Sequence, residues 1–392
     1  MQDFSFDWAI SPKTQDRFFA EHFERAPMVV NRDAPDYFAD LLSFAEIDRV
    51  ISTMGLSHPE VNATQAGAQI KAADFAFEDG RIDPVRIAQL YADGATLILS
   101  SLQDRLPKLA RYCRALEAVL SARVQTNIYM TPPGHQGFNP HYDSHDVLVL
   151  QVAGSKEWRL FGTPIELPLA DQAFERGGEF GVETARFTLH PGDTAYIPRG
   201  LAHDAVALGA GPSLHVTTGL MVRSWADAMV EAISMMARRD LAFRRALPPG
   251  FANPGADLAQ YDDIFGDLVQ RLGHAPADKV LGAFREDFLA SRVPRSDDQM
   301  AQIAALADLS TESLVGAQPD LIYHLEIDAQ TDQMHLLVQG VEITLPAHAR
   351  QSLEYCLRTP AFRVTEMAGD LDDPGKLVLV RRLVREGLMR ML

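Results

Sequence analysis

Residues 132–158 read PPGHQGFNPHYDSHDVLVLQVAGSKEW, and the triplet His141-Tyr142-Asp143 inside them decides the fold. A His and an Asp two residues apart on a strand project from the same face. With one more His later in the chain they can hold a single Fe(II) by three neighbouring corners of its octahedron. The three remaining corners stay open, which marks catalytic non-haem iron rather than a structural metal site. A bare His-x-Asp occurs by chance in many chains, so its surroundings matter.

The next informative run is LHPGDTAYIPRGLAHDAVAL, residues 189–208. Pro191-Gly192-Asp193 and Pro198-Arg199-Gly200 are turn signals, and Thr194 to Ile197 between them reads as a short strand. His203 therefore falls where a strand begins after a tight reversal. Jelly-roll barrels of antiparallel strands place a late residue there, facing an earlier strand. His215, in SLHVTTGL, competes for the third ligand position and ranks second, as a core histidine or one that orients a ligand or cosubstrate. His145 shares the parity of His141 and Asp143 and could line the same pocket, His135 also flanks the motif, and His190 reads as structural.

An iron oxygenase needs electrons, and the chain carries no dinucleotide fingerprint or haem motif to supply them. A 2-oxo acid supplies them by oxidative decarboxylation, and its far carboxylate needs a cation. Lys156 fits. In GSKEWRLF it shares a strand face with Trp158 and Leu160, where a charge is costly to bury without an anion. Asn127 and Tyr129, in TNIYMTPPG, form a second polar pair on one face and could donate to the same carboxylate.

Taken in order, Asn127-x-Tyr129, GHQGFNPHYDSHDV, GSKEW, PGDTAYIPRGLAH and SLHVTT resemble the JmjC-type cupin domain of the ribosomal oxygenases. These are Fe(II)- and 2-oxoglutarate-dependent protein hydroxylases. The resemblance covers most of residues 120–222. It implies His141, Asp143 and His203 as iron ligands and Lys156 as partner of the distal carboxylate of 2-oxoglutarate, with Asn127 and Tyr129 nearby. Gly219 departs from the pattern, since some members carry a serine there.

Composition is compatible with this. The 392 residues suffice for two or three domains, and 47% hydrophobic with 23% charged residues describes a globular chain. No apolar run is long enough for a membrane helix and the N-terminus lacks a secretory pattern. Cys113 and Cys356 are the only cysteines, which suggests a reducing cytoplasm and no disulfide framework. A net charge of -17 argues against nucleic acid and anionic membranes as partners.

The expected class is α+β: a double-stranded β-helix (jelly-roll cupin/JmjC) barrel over 1–222, its first 122 residues a mixed α/β flank, then a helical region over 223–308 and a winged-helix-like end over 309–392. SFAEIDRVIST opens on a possible Ser43-x-x-Glu46 capping box. LPKLARYCRALEAVL has helical spacing through Leu109, Tyr112, Cys113 and Leu116. The loop 166–187 interrupts the strands and could shape the substrate entrance. After Arg223 a helix offers Trp225, Met229, Ile233, Met236 and Leu241 as a buried stripe, in a layer suited to homodimerisation. The end gives two strands about Gln339-Gly340 and then three helix-like pieces, AHARQSLEYCLRT, VTEMAGDL and KLVLVRRLVREGLMRML.

The leading functional expectation is a 2-oxoglutarate-dependent hydroxylase. The resemblance points to a histidine or arginine side chain of a ribosomal protein. Demethylation of N-methyl-lysine on the same site, a small-molecule oxygenase, and a non-enzymatic metal-binding cupin regulator acting through the winged helix are the rivals.

Overall fold

The computed structural model describes residues 4–172, 180–294, 298–328 and 330–392. The chain divides into two compact units, Met1–Val222 and Arg223–Leu392.

The first unit holds ten strands: β1 (Met28–Val30), β2 (Val61–Thr64), β3 (Thr96–Ser100), β4 (Arg123–Thr131), β5 (Asp146–Ala153), β6 (Ser155–Leu160), β7 (Ala185–Leu189), β8 (Thr194–Ile197), β9 (His203–Leu208) and β10 (Ser213–Met221). Seven form a sheet in the order β1-β8-β5-β10-β4-β3-β2 and three form a second, β7-β6-β9. All pairings are antiparallel. From β5 onward the chain passes back and forth between the sheets, as a jelly roll requires. The crossing from β5 to β6 turns on Gly154, whose φ is +61° and whose α-carbon lies against the Pro212 carbonyl, leaving no room for a side chain. Val147, Val149, Ala195 and Ile197 of the large sheet pack against Trp158, Leu160 and Leu189 of the small one.

The other face of the large sheet lies under helices α1 (Phe6–Ile10), α2 (Gln15–Glu21), α3 (Phe44–Thr53), α4 (Pro84–Ala92) and α5 (Pro107–Leu120). Leu109, Tyr112, Cys113 and Leu116 of α5 join one core with Val124, Ile128, Leu148, Leu150 and Val216. Because β5 is covered on both faces, its sequence is a continuous apolar run rather than an alternation. Ser43 caps α3 by accepting from the Glu46 N–H at 3.3 Å, and its hydroxyl donates to the Glu46 carboxylate at 3.0 Å.

The second unit begins with α6 (Trp225–Arg239), α7 (Asp262–Leu272), α8 (Ala277–Ser291) and α9 (Gln299–Ala305), followed by β11 (Leu314–Ala317), β12 (Tyr323–Asp328), β13 (Gln333–Val338), β14 (Val341–Pro346), α10 (Arg350–Arg358), β15 (Phe362–Arg363), α11 (Asp373–Arg385) and β16 (Met389–Met391). Two three-stranded sheets result, β12-β13-β14 and β15-β11-β16. Gln339 and Gly340, both at positive φ, make the expected two-residue hairpin turn.

Three expectations change here. VTEMAGDL is a single 3-10 turn over Val364–Glu366 rather than a helix, because Phe362 and Arg363 are drawn into a strand beside β11. The last residues leave the helix at Gly387 and finish as β16. The expected stripe is not buried: on α6 Trp225 is 74% exposed and Met229 and Ile233 are exposed too, and Leu241, past the end of the helix, is also exposed. Ala228 and Ala232 face Val280 of α8 instead, since small side chains let the two helices approach.

Candidate active site

His141 stands just ahead of β5 and forms an isolated bridge with His203, the first residue of β9. The two exchange backbone hydrogen bonds, His141 N–H to the His203 carbonyl at 3.1 Å and the reverse at 2.7 Å. The triplet is therefore not on a strand, as its spacing predicts; β5 starts only at Asp146, and residues 144 and 145 bend. The cross-chain bridge does what strand parity was expected to do. It brings the two imidazoles to a centroid distance of 4.7 Å, and the Asp143 carboxylate lies 3.7 Å from Nε2 of His203. The Gly200 N–H donates to the Asp143 carbonyl at 2.9 Å and fixes that bend.

One ligating atom from each of His141, Asp143 and His203 lies within 4.8 Å of the others. Nδ1 of His141 is 3.0 Å from the Asn139 carbonyl, and Nδ1 of His203 is 3.0 Å from the Leu201 carbonyl. A carbonyl can only accept, so each Nδ1 carries the proton and Nε2 offers its lone pair to a cation. Burial and the neighbouring His141 push the His203 pKa down to about 4, against the opposing pull of Asp143. The ring is neutral at ordinary pH, as a metal ligand must be.

These residues line a cavity together with Tyr129, Lys156, Trp158 and His215. Lys156 is 4% exposed and donates from Nζ to the Thr131 hydroxyl at 3.2 Å. No carboxylate among the described residues pairs with it, and burial alone pushes its pKa down to about 7. The ring of Tyr129 stacks on His215 at 5.0 Å, and Trp158 meets His215 edge-on at 5.7 Å. Nδ1 of His215 and Nε1 of Trp158 are buried without a hydrogen-bond partner. An unmade buried hydrogen bond costs about 1–3 kcal/mol. An uncompensated ammonium and two orphaned ring nitrogens in one cavity fit an anionic ligand with several oxygens.

Asn127 stands apart from this group. It shares the inner face of β4 with Tyr129 but does not line the cavity, and its side-chain oxygen accepts from Gln125 at 3.2 Å. It lies roughly 13 Å along the strand from Thr131, the residue that holds Lys156. His145 packs over Gly219. His135 turns back on the Pro133 carbonyl at 2.8 Å and lies against Gly94, and His190 meets the Ser155 hydroxyl at 2.9 Å, as a structural residue would. The entrance loop expected over 166–187 lies in part, at 173–179, outside the described residues.

Two acids escape a reading by spacing. Asp146, fully buried, accepts from the Tyr196 hydroxyl at 2.5 Å and from Arg199 at 2.7 Å, and Arg199 also pairs with Glu24. It ties the start of β5 to the turn that delivers His203. Asp204 lines the cavity and is held by Arg159, with Nε at 2.8 Å, and by Gln136 at 3.0 Å. Each follows a histidine directly, in His145-Asp146 and His203-Asp204, which is the only signal the sequence offers.

Residues 99–228 match the model of the JmjC domain family. Ribosomal oxygenase 1 of Gallus gallus is 32% identical over 311 residues, covering 74% of this chain and 51% of that protein. A Culex quinquefasciatus protein named bifunctional lysine-specific demethylase and histidyl-hydroxylase NO66 is 32% identical over 253 residues, covering 62% of this chain and 39% of its own. The chain thus spans about half the length, or less, of these curated relatives. Among solved structures, Escherichia coli YcfD, described as a ribosomal oxygenase in complex with cobalt and succinic acid, has a TM-score of 0.57 at 20% identity and covers 96% of this chain and 98% of its own. Its complex with cobalt and 2-oxoglutarate gives 0.55 at 18%, covering 96% of this chain and 98% of its own. At that identity the likeness speaks to the fold.

Proposed function

We propose that this chain, whose residues 99–228 match the JmjC domain family and which is similar to ribosomal oxygenase 1, is an Fe(II)- and 2-oxoglutarate-dependent protein hydroxylase. One observation carries the reading. A set of two imidazoles and a carboxylate shares its cavity with a buried lysine that has no counter-charge. The metal set alone would suit many reactions; the lysine narrows the second ligand to an anion.

His141, Asp143 and His203 would hold the metal, each histidine through Nε2. Lys156 would pair with the distal carboxylate of 2-oxoglutarate. Tyr129 and His215 flank that end of the cavity, and we place Asn127 on the same face further from the lysine. When bound, iron would bring oxygen, the oxidant, together with 2-oxoglutarate, which gives up two of the four electrons that oxygen takes: 2-oxoglutarate, oxygen and a substrate C–H become succinate, carbon dioxide and a C–OH. The chain's own task is to orient both imidazoles through the Asn139 and Leu201 carbonyls, to keep Lys156 dry, and to admit the target side chain beside the metal site.

The substrate we propose is a ribosomal protein, hydroxylated on a histidine or arginine side chain, encountered in the cytoplasm. No described helix is long and apolar enough to cross a membrane. We assign 223–308 to homodimerisation and 309–392 to a winged-helix-like module that contacts protein rather than nucleic acid, in keeping with the acidic balance of the chain. Lysine demethylation on the same site is the second reading, favoured by the name borne by the mosquito relative.

The test loads the purified protein with Fe(II) and 2-oxoglutarate without oxygen, then admits air together with a ribosomal extract. Mass spectrometry should find a one-oxygen gain on a ribosomal peptide, absent with His141→Ala. Formaldehyde with loss of a methyl group would point to demethylation instead, and no turnover of 2-oxoglutarate with any protein would sink both.

A further inference from the structure

Gly219 is buried in β10, between β4 and β5, on the face through which His215 and Thr217 enter the cavity. A Cβ built on it would lie 2.8 Å from Cδ2 and 3.0 Å from Nε2 of His145, and 2.9 Å from Cε of Met221. Its backbone is not in the left-handed region, so the glycine supplies space rather than conformational freedom. The His145 imidazole occupies the volume that a side chain at 219 would fill.

His145 is half-buried, and in the described structure neither of its ring nitrogens has a hydrogen-bond or ion-pair partner. Neither nitrogen is among the fully buried polar atoms that lack a partner, so both are open to a molecule arriving from outside. Its place is also distinctive. Lys156 sits against Thr131 at one end of the inner face of β4, while Gly219 pairs with Gln125 near the other. An anion held by Lys156 leaves this other end, beyond the residues that line the cavity, to a second molecule entering from outside.

We propose that His145, seated over Gly219, is the specificity-determining residue that hydrogen-bonds the target side chain as it enters. A neutral imidazole offers one donor and one acceptor, which suits a polar, nitrogen-bearing side chain. This inference rests on the hydroxylase reading above.

The experiment uses the full chain, the ribosomal peptide that the wild type hydroxylates, and the variants His145→Leu and His145→Gln. Leucine fills the same space without polar atoms, while glutamine keeps a donor and an acceptor. With His145→Leu, KM for the peptide should rise about tenfold or more while kcat stays within about twofold. The visible absorption of the Fe(II)–2-oxoglutarate complex, titrated without oxygen, should not shift. His145→Gln should recover most of the KM. A His145→Leu protein with the KM and target range of the wild type overturns the inference and leaves the hydroxylase reading standing. A wild type that hydroxylates no ribosomal peptide removes both. Should His145→Leu not fold, Gly219→Ala displaces the ring by its added methyl, and an unchanged KM there is equally decisive.

Discussion

Lys156 is the residue on which the proposed chemistry turns. Free of ligand, its pKa is held down to about 7 by burial. A carboxylate beside it stabilises the charged form, so binding raises that pKa. Below pH 7 the lysine is already protonated, and affinity for 2-oxoglutarate should be flat. Above pH 7 binding must take up a proton, so affinity should fall by up to about tenfold per pH unit until the bound pKa is passed. Calorimetry in buffers of different ionisation enthalpy should register that proton at pH 8 and little of it at pH 6. Lys156→Ala should weaken 2-oxoglutarate by about 2 kcal/mol or more while the protein still takes up Fe(II); iron lost together with 2-oxoglutarate would mean the variant disturbs the triad. That the lysine, the two histidines and Asp143 meet in one cavity follows from motifs that each carry turn signals around them. Asp146, Asp204 and the orphaned Trp158 nitrogen were not legible in this way, since their roles depend on partners far away in the chain.

At the scale of elements, turns rather than strands place the site. Asp193, in the turn between β7 and β8, is 1% exposed and accepts from the backbone N–H groups of Arg32 at 2.6 Å and His190 at 2.8 Å, and from Asn31 at 2.9 Å. Asp193→Ala leaves buried donors unpaired and should cost about 3 kcal/mol in urea denaturation; a loss below about 1 kcal/mol would show that water replaces the carboxylate. Pro-Gly-Asp was readable as a turn, but what the aspartate clasps was not. The helical spacing of α5 told its element directly, because the helix is buried on the face the pattern implies. His141-Tyr142-Asp143 misled as a strand, because two residues of matching parity can also be aligned by one bridge to a distant segment. In α6 periodicity gave the helix but not its environment, since the apolar stripe faces outward and alanines carry the packing.

At the scale of the whole molecule, the exposed face of α6, with Trp225 74% and Met229 55% exposed, is a surface that a second copy would cover. Trp225→Glu should convert a dimer to a monomer in sedimentation at micromolar concentration; a wild type that sediments as a monomer contradicts the assignment of 223–308. The central claim concerns the catalytic unit, and one measurement reaches it most directly. The protein loaded with Fe(II) and 2-oxoglutarate is exposed to ¹⁸O-labelled oxygen with the ribosomal extract, and both peptide and succinate are weighed. The account predicts one labelled oxygen in the peptide and one in succinate, in equal amounts, with neither product formed by His203→Ala. Succinate formed without label in any peptide, or a peptide modified without consumption of 2-oxoglutarate, would contradict it.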